Sequence, residues 1–381
     1  MELETLLARI PDFSNIQDPH GATHLPIYQT ATFDLKKQSG EKIYDYSRTD
    51  NPTRGALERI FTIAENGSGC VCTNTGLSAL ALLFETVLST GDEILVEMDS
   101  YGGTYRLLKI FSGKFGVKVT STDFLDMTNV EKILQNKKVK MVLCESPTNP
   151  GLKIIDIKAV AELCKKHDTL FAVDNSLATF ASQKPLDLGA DFSVFSGTKY
   201  ISGHGSVISG AVVSKDREWA EKIAYFSNAE GRAQSPLDSF LITLGLPTLP
   251  YRMKIQEQSA LKLAEYFSTR NDIVKVRFPF HPSHPQFELA KKQMKVCPGV
   301  LTIQMESVHK AEQFVRNTKL FGEKASFGTA DSRVEQPARI SHASYSDEDL
   351  LGIGITNASL RISAGLESVD DLIDDIEQAL R

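Results

Sequence analysis

From residue 68 onward the chain repeats one unit, a short run of Val, Ile, Leu and Phe followed by a stretch with helical spacing. GCVCTN precedes TGLSALALLFETVL, DEILVEM precedes NVEKILQNKK, and VKMVLCE precedes DIKAVAELCKKH; TLFAVDN, DFSVFS and SVISGAVVS close the series. Short β-branched runs that do not alternate with polar residues are buried on both faces. Strands of that kind, joined by helices, form a mainly parallel sheet covered on either side. The spacing therefore predicts an α/β fold. In such sheets ligand-binding groups collect beyond the C-terminal ends of the strands, where Glu145, Asp174 and Ser196 fall.

At 381 residues the chain is longer than one core usually organises, and two domains are expected. A helix-rich bridge, LDSFLITLGLPTLPYRMKIQEQSALKLAEYF, leads to a second region containing IVKVRF, FELAKKQM, GVLTIQME, HKAEQFVRN and ASLRISAGL. In the closing SVDDLIDDIEQAL, residues Val369, Leu372, Ile373, Ile376 and Leu380 share one helical stripe, so that helix packs on a core. These patterns predict an N-terminal arm over 1–55, a large domain over 56–240 and a smaller α+β domain over 241–381.

With 42 Lys and Arg against 48 Asp and Glu, a net charge of −6, no basic face is available for nucleic acid. No window reaches the roughly 20 apolar residues of a membrane span. The opening MELETLLARIPDF has acids where a secretory leader needs bases, and the expected location is the cytoplasm. Five cysteines, odd in number and set mostly in apolar runs, read as buried thiols and not as a disulfide framework. Cys70 and Cys72 are expected on opposite faces of a strand, and His281 and His284 of HPSHP in a surface turn; no metal is expected.

The chemistry gathers in DFSVFSGTKYISGHGSVISG, where Lys199 ends an apolar strand among hydroxyls and glycines. Asp174 ends another buried strand, a costly place for a carboxylate without a cationic partner. Gly76 opens a helix, where free backbone N–H groups and the helix dipole suit a phosphate. An amine, a buried acid and an anion cradle are together what pyridoxal phosphate needs.

The stretches YDYSRTDNPTRGALE, TNTGLSAL, YGGTYRL, ESPTNP, VDNS, SGTKYISGH, SHPQFELAKKQM and LRISAGLE resemble those of the Cys/Met-metabolism enzymes that depend on pyridoxal phosphate. The resemblance implies an aspartate-aminotransferase-like (fold type I) architecture, with a mainly parallel seven-stranded sheet in the large domain. It implies that Lys199 forms the Schiff base, Asp174 pairs with the pyridine nitrogen and Tyr101 stacks on the ring. Gly76, Leu77, Ser196 and Thr198 would hold the phosphate, with Tyr46 and Arg48 reaching in from a neighbouring subunit. That arm implies at least a catalytic dimer, and the resemblance implies a homotetramer, a dimer of such dimers. For the substrate, a small amino acid, the resemblance assigns the α-carboxylate to Arg361, Asn149 and Ser326 and a distal carboxylate to Arg106. The implied activity is of the cystathionine γ-synthase type, γ-replacement on O-succinyl- or O-acetylhomoserine by cysteine. Cystathionine γ-lyase, O-acetylhomoserine sulfhydrylase and methionine γ-lyase are the alternatives. The retained Lys199, Asp174, Tyr101, Asn149 and Arg361 argue against a homologue kept only for interaction. Ala325, Ser206, Leu244 and Pro247 depart from the family pattern, Ala325 standing where cystathionine-handling members usually have glutamate.

Overall fold

The computed structural model describes residues 1–16, 18, 20–38 and 42–381. Its large sheet is built from β1 (Gly69–Thr73), β2 (Glu93–Glu97), β3 (Lys118–Thr122), β4 (Val139–Glu145), β5 (Leu170–Asp174), β6 (Phe192–Phe195) and β7 (Gly210–Ser214). The seven strands lie in the order β1-β7-β6-β5-β4-β2-β3. All neighbours are parallel except β7, which runs antiparallel to both β1 and β6. The apolar runs of β4, β5 and β6 are buried along nearly their whole length, as strands covered on both faces must be.

Strand β3 and the helix Gly102–Phe115 before it escape the sequence pattern for a physical reason. KVTST is a sheet edge with no fully buried residue, so nothing selects an apolar run there. The helix opens on two glycines and carries Lys109 and Lys114, which blur its stripe. The helix Arg217–Glu230 likewise falls outside the pattern.

A second sheet contains β8 (Ile273–Arg277), β9 (Val300–Met305), β10 (Gly322–Glu323), β11 (Arg333–Glu335) and β12 (Ser359–Ser363), in the order β10-β11-β12-β9-β8. Only β10 and β11 pair in parallel. Helices Leu249–Ser268, Val308–Asn317 and Val369–Ala379 share its core, where Leu263, Phe267, Phe314, Ile303, Leu360, Leu372 and Ile376 lose all solvent contact. Each such side chain contributes about 1.5–3 kcal/mol of burial. Val369, Ile373 and Leu380 pack at the margin of the same cluster, as the stripe predicts. Thr302 of β9 donates to the carbonyl of Pro150, in the loop after β4, at 2.7 Å.

Two expectations are corrected. Cys70 and Cys72 share a face of β1: both pack with Phe61 and Phe195, while Val71 between them faces the opposite cluster. Side chains two apart on a strand lie on the same side. Both thiols, like the other three, are free. His284 is not a surface residue but is buried, with Nε2 3.0 Å from the Leu152 carbonyl. Burial holds its pKa down at about 4. His281 remains at the turn, with Nδ1 2.7 Å from the Ser283 hydroxyl. Among the described residues no helix is long and apolar enough to cross a membrane.

Candidate active site

Beyond the C-terminal ends of β4, β5 and β6 lies a cavity of about 410 Å³, closed on its far side by the loop before β11 and by β12. Three loops of the large sheet form its floor. The helix Gly76–Val87 is started by Thr75, whose hydroxyl accepts from the Ser78 N–H at 3.0 Å. Its first turn sits so close to the β6 loop that a Cβ on Gly76 would lie 2.8 Å from Ser196 Cβ. Glycine is required by this approach, which brings the helix N-terminus and the Ser196 hydroxyl to the same wall. Leu77 lines that wall as well.

Asp174 ends β5 and accepts at Oδ1 from the Ser176 N–H at 3.0 Å and the Ser176 hydroxyl at 2.5 Å. The same hydroxyl accepts from the Ser196 N–H at 2.6 Å, tying the β5 and β6 loops together. No protein cation forms an ion pair with Asp174 among the described residues, and burial raises its pKa despite the Ser176 donors. A carboxylate so placed suits a cationic ring nitrogen.

After Ser196 the chain turns sharply, with the Lys199 N–H donating to the Ser196 carbonyl at 3.2 Å. Thr198 is held there because its hydroxyl accepts from the Ser209 N–H at 2.9 Å. Lys199 Nζ donates to the Ser326 hydroxyl at 2.7 Å and lies 5.0 Å from the centre of the Phe327 ring. Burial, and then the positive charge of Arg361, bring its pKa down to about 8. Near that value an amine exists in both forms at neutral pH, which proton transfer requires.

Tyr101 precedes the helix Gly102–Phe115, and its N–H donates to Glu145 Oε2 at 3.2 Å. Burial, followed by the nearby Asp174 and Asp99 carboxylates, pushes the Glu145 carboxyl well up. The Tyr101 turn is held from above, because the Ser341 carbonyl lies 2.2 Å from where a Cβ on Gly102 would be.

Arg361 rises from β12, almost fully buried. One terminal nitrogen donates to Asn149 Oδ1 at 2.9 Å and the other to the Ser326 carbonyl at 2.9 Å. The second nitrogen also faces Glu335 Oε1 at 3.1 Å. Ser326 serves Lys199 with its side chain and Arg361 with its carbonyl while held at φ 85°. For serine that conformation costs on the order of 1–3 kcal/mol and persists only where the surroundings impose it.

The cavity thus joins Gly76, Leu77, Tyr101, Asp174, Ser196, Thr198 and Lys199 on one side with Asn149, Ser326 and Arg361 on the other. Arg106 stands exposed at its rim, its nearest hydrogen-bond partner the Ser344 hydroxyl at 3.4 Å. Tyr46 and Arg48 do not line it. They lie exposed on the arm, where Arg48 donates to the Asn228 carbonyl at 2.7 Å and stacks 5.4 Å from the Tyr46 ring. Ser176, Phe327 and Ser341 also form the wall and were not anticipated as site residues. Glu145 sits at the strand end that the sequence points to, in register with Asp174 on the neighbouring strand. Phe327 and Ser341 belong to loops between very short strands, which carry no periodic signal.

An anion cradle that a single Cβ would fill, a half-buried acid with one oxygen unbonded by protein among the described residues, an amine of lowered pKa and an aromatic side chain fit pyridoxal phosphate. A family model described as Cys/Met metabolism PLP-dependent enzyme matches residues 8–381. A cystathionine β-lyase of Lactococcus lactis subsp. cremoris is 37% identical over 362 residues, which cover 94% of each chain. A cystathionine γ-lyase of Bacillus subtilis is 37% identical over 360 residues, with the same coverage. Among solved structures, cystathionine γ-synthase from Xanthomonas oryzae pv. oryzae, in complex with aminoacrylate and cysteine, superposes with a TM-score of 0.95 at 34% identity, covering 100% of this chain and 98% of that one.

Proposed function

We propose an activity on the premise that the chain belongs to the Cys/Met metabolism PLP-dependent enzyme family: γ-replacement on O-succinylhomoserine, or its O-acetyl counterpart, with cysteine as the incoming thiol, to give cystathionine. The observation that carries the choice is the charge of the outer cavity. Its acids, Glu145 and Asp174, lie at the strand ends of the floor, whereas the rim carries the Arg106 cation and the uncharged Ala325. A substrate tail ending in a carboxylate without an ammonium, as a succinyl ester does, suits such a rim.

Gly76, Leu77, Ser196, Thr198, Asp174, Tyr101 and Lys199 would hold the cofactor. Pyridoxal phosphate supplies, when bound, an electron sink for the carbon next to the substrate amine. Arg361 orients the substrate through its α-carboxylate, which a guanidinium grips with two parallel hydrogen bonds. Asn149 and Ser326 keep the guanidinium in place. Lys199 Nζ takes the proton from Cα and returns it, a task its pKa near 8 suits. Tyr101, fixed by Glu145 and by the Ser341 carbonyl, orients the reacting plane. Tyr46 and Arg48, outside the cavity, suit a site completed by a second copy, so we take the working unit to be a dimer within a homotetramer, located in the cytoplasm.

A second reading, cleavage of the C–S bond of cystathionine, is favoured by two relatives named as lyases. Purified, cofactor-loaded protein given O-succinylhomoserine with and without cysteine, and cystathionine alone, separates the two. Cystathionine formed only in the presence of cysteine supports replacement. Release of cysteine or homocysteine from cystathionine, with no synthesis, overturns it in favour of a lyase.

A further inference from the structure

Glu335 is a carboxylate that packing does not explain. It sits on β11 directly opposite Arg361 on β12, and the two are 1% and 3% exposed. Oε1 lies 3.1 Å from the Arg361 guanidinium and accepts from the Ser341 hydroxyl at 2.5 Å. Oε2 is buried without a hydrogen-bond partner among the described residues. An apolar pair of similar volume generally stabilises a fold as well as a buried ion pair does. A half-satisfied carboxylate set behind the wall of a reaction cavity, against two residues that line it, Arg361 and Ser341, therefore calls for a reason in the chemistry.

That reason lies in the charges around Lys199. Its amine is faced by Arg361 from β12, by Glu335 and Arg333 from β11, and by Asp174 from β5. The two arginines favour the neutral amine, and the two acids favour its protonated form. Arg361 is needed as a cation for the substrate carboxylate, so its effect on Lys199 has to be offset without removing it.

We propose that Glu335 is a positioning residue for this site: it fixes the Arg361 guanidinium in the orientation that grips a carboxylate, and its negative charge offsets that of Arg361 at the Lys199 nitrogen. The inference rests on Lys199 and Arg361 serving the cofactor site as described above. The Lys199 nitrogen, whether free or joined to pyridoxal phosphate, lies among the same charges, so the sign of the effect is the same in both.

The test is a pH titration of the visible absorbance of the cofactor-loaded protein. In Glu335→Gln the amide oxygen can still accept from Ser341, but the charge is gone. The midpoint should move to lower pH by about 0.5–1 unit, a threefold to tenfold change in the proton equilibrium. Glu335→Asp keeps the charge but draws it back by one methylene, and its midpoint should fall between those of wild type and the glutamine variant. If the glutamine variant fails to fold, a downward shift in the aspartate variant carries the test alone. A wild-type titration with Glu335 variants unmoved, or moved upward, overturns the role of Glu335 and leaves the site assignment standing. Wild-type protein that develops no visible band with pyridoxal phosphate overturns the site assignment and the inference with it.

Discussion

Replacing Gly76 with alanine adds one carbon where the first turn of the helix Gly76–Val87 meets the β6 loop. The new Cβ would lie 2.8 Å from Ser196 Cβ, 3.1 Å from its hydroxyl and 3.2 Å from its Cα. Because Cα is among these atoms, rotating the serine side chain cannot relieve the contact. Helix and loop must separate by about 0.6 Å to restore an ordinary 3.4 Å contact. Overpacking of this size costs about 1–3 kcal/mol, and alanine returns up to about 1 kcal/mol of helix propensity. The fold should therefore lose only about 0–3 kcal/mol, a shift of a few degrees in Tm. The cradle loses more, since the helix N–H groups and the Ser196 hydroxyl must reach one anion together. Losing one charge-assisted hydrogen bond, about 1.5–3 kcal/mol, weakens pyridoxal phosphate binding roughly 10- to 150-fold. Fluorescence titration of the cofactor-free variant measures the affinity, and a thermal melt of the same sample measures the fold. Affinity within a factor of two of wild type, in a variant that melts cooperatively, would refute the assignment of Gly76 to the anion cradle.

Two further outcomes are expected. Lys199→Ala should leave no cofactor mass on the peptide spanning residue 199 after borohydride reduction and should lower turnover by at least about 1,000-fold; an adduct that persists would place the attachment at another lysine. Glu65 is fully buried, with neither carboxyl oxygen hydrogen-bonded among the described residues, and burial pushes its pKa from 4.5 up to about 8. Its folded form thus keeps a proton that the unfolded chain has released. The stability this contributes is complete below about 4.5 and is lost as pH rises through about 8, at up to roughly 1.4 kcal/mol per unit. Glu65→Met, which removes the charge and both orphaned acceptors, should raise Tm more at pH 8 than at pH 5, and an equal rise at both would contradict the assignment.

Much of the site could be read in the sequence because its parts are local. Asp174 and Lys199 each follow a buried strand within a few residues, and Gly76 follows a strand and opens a helix. A chain segment reveals these positions without knowledge of what lies opposite. The closing helix was legible for the same reason, its stripe at Leu372 and Ile376 being written within four residues. Edge strand β3 was not, because a strand exposed at a sheet edge needs no apolar run. His284 was misplaced because a proline-flanked histidine looks solvated, whereas a carbonyl 132 residues away receives its ring.

By itself, then, the order of apolar runs, helix starts and strand-end acids determined an α/β large domain, the side of the sheet where chemistry gathers and the positions of Gly76, Asp174 and Lys199 there. Tertiary structure alone decided how the Arg361 wall of the cavity is assembled. Arg361 meets Asn149 across 212 positions and Lys199 meets Ser326 across 127, while Glu335 faces Arg361 only because two short strands pair in one register. Burial and helix capping depend on neighbours in sequence and leave a periodic trace there. The pairing of charges depends on distance in space, and a cation and an acid from separate loops acquire their meaning only when folding removes the water between them.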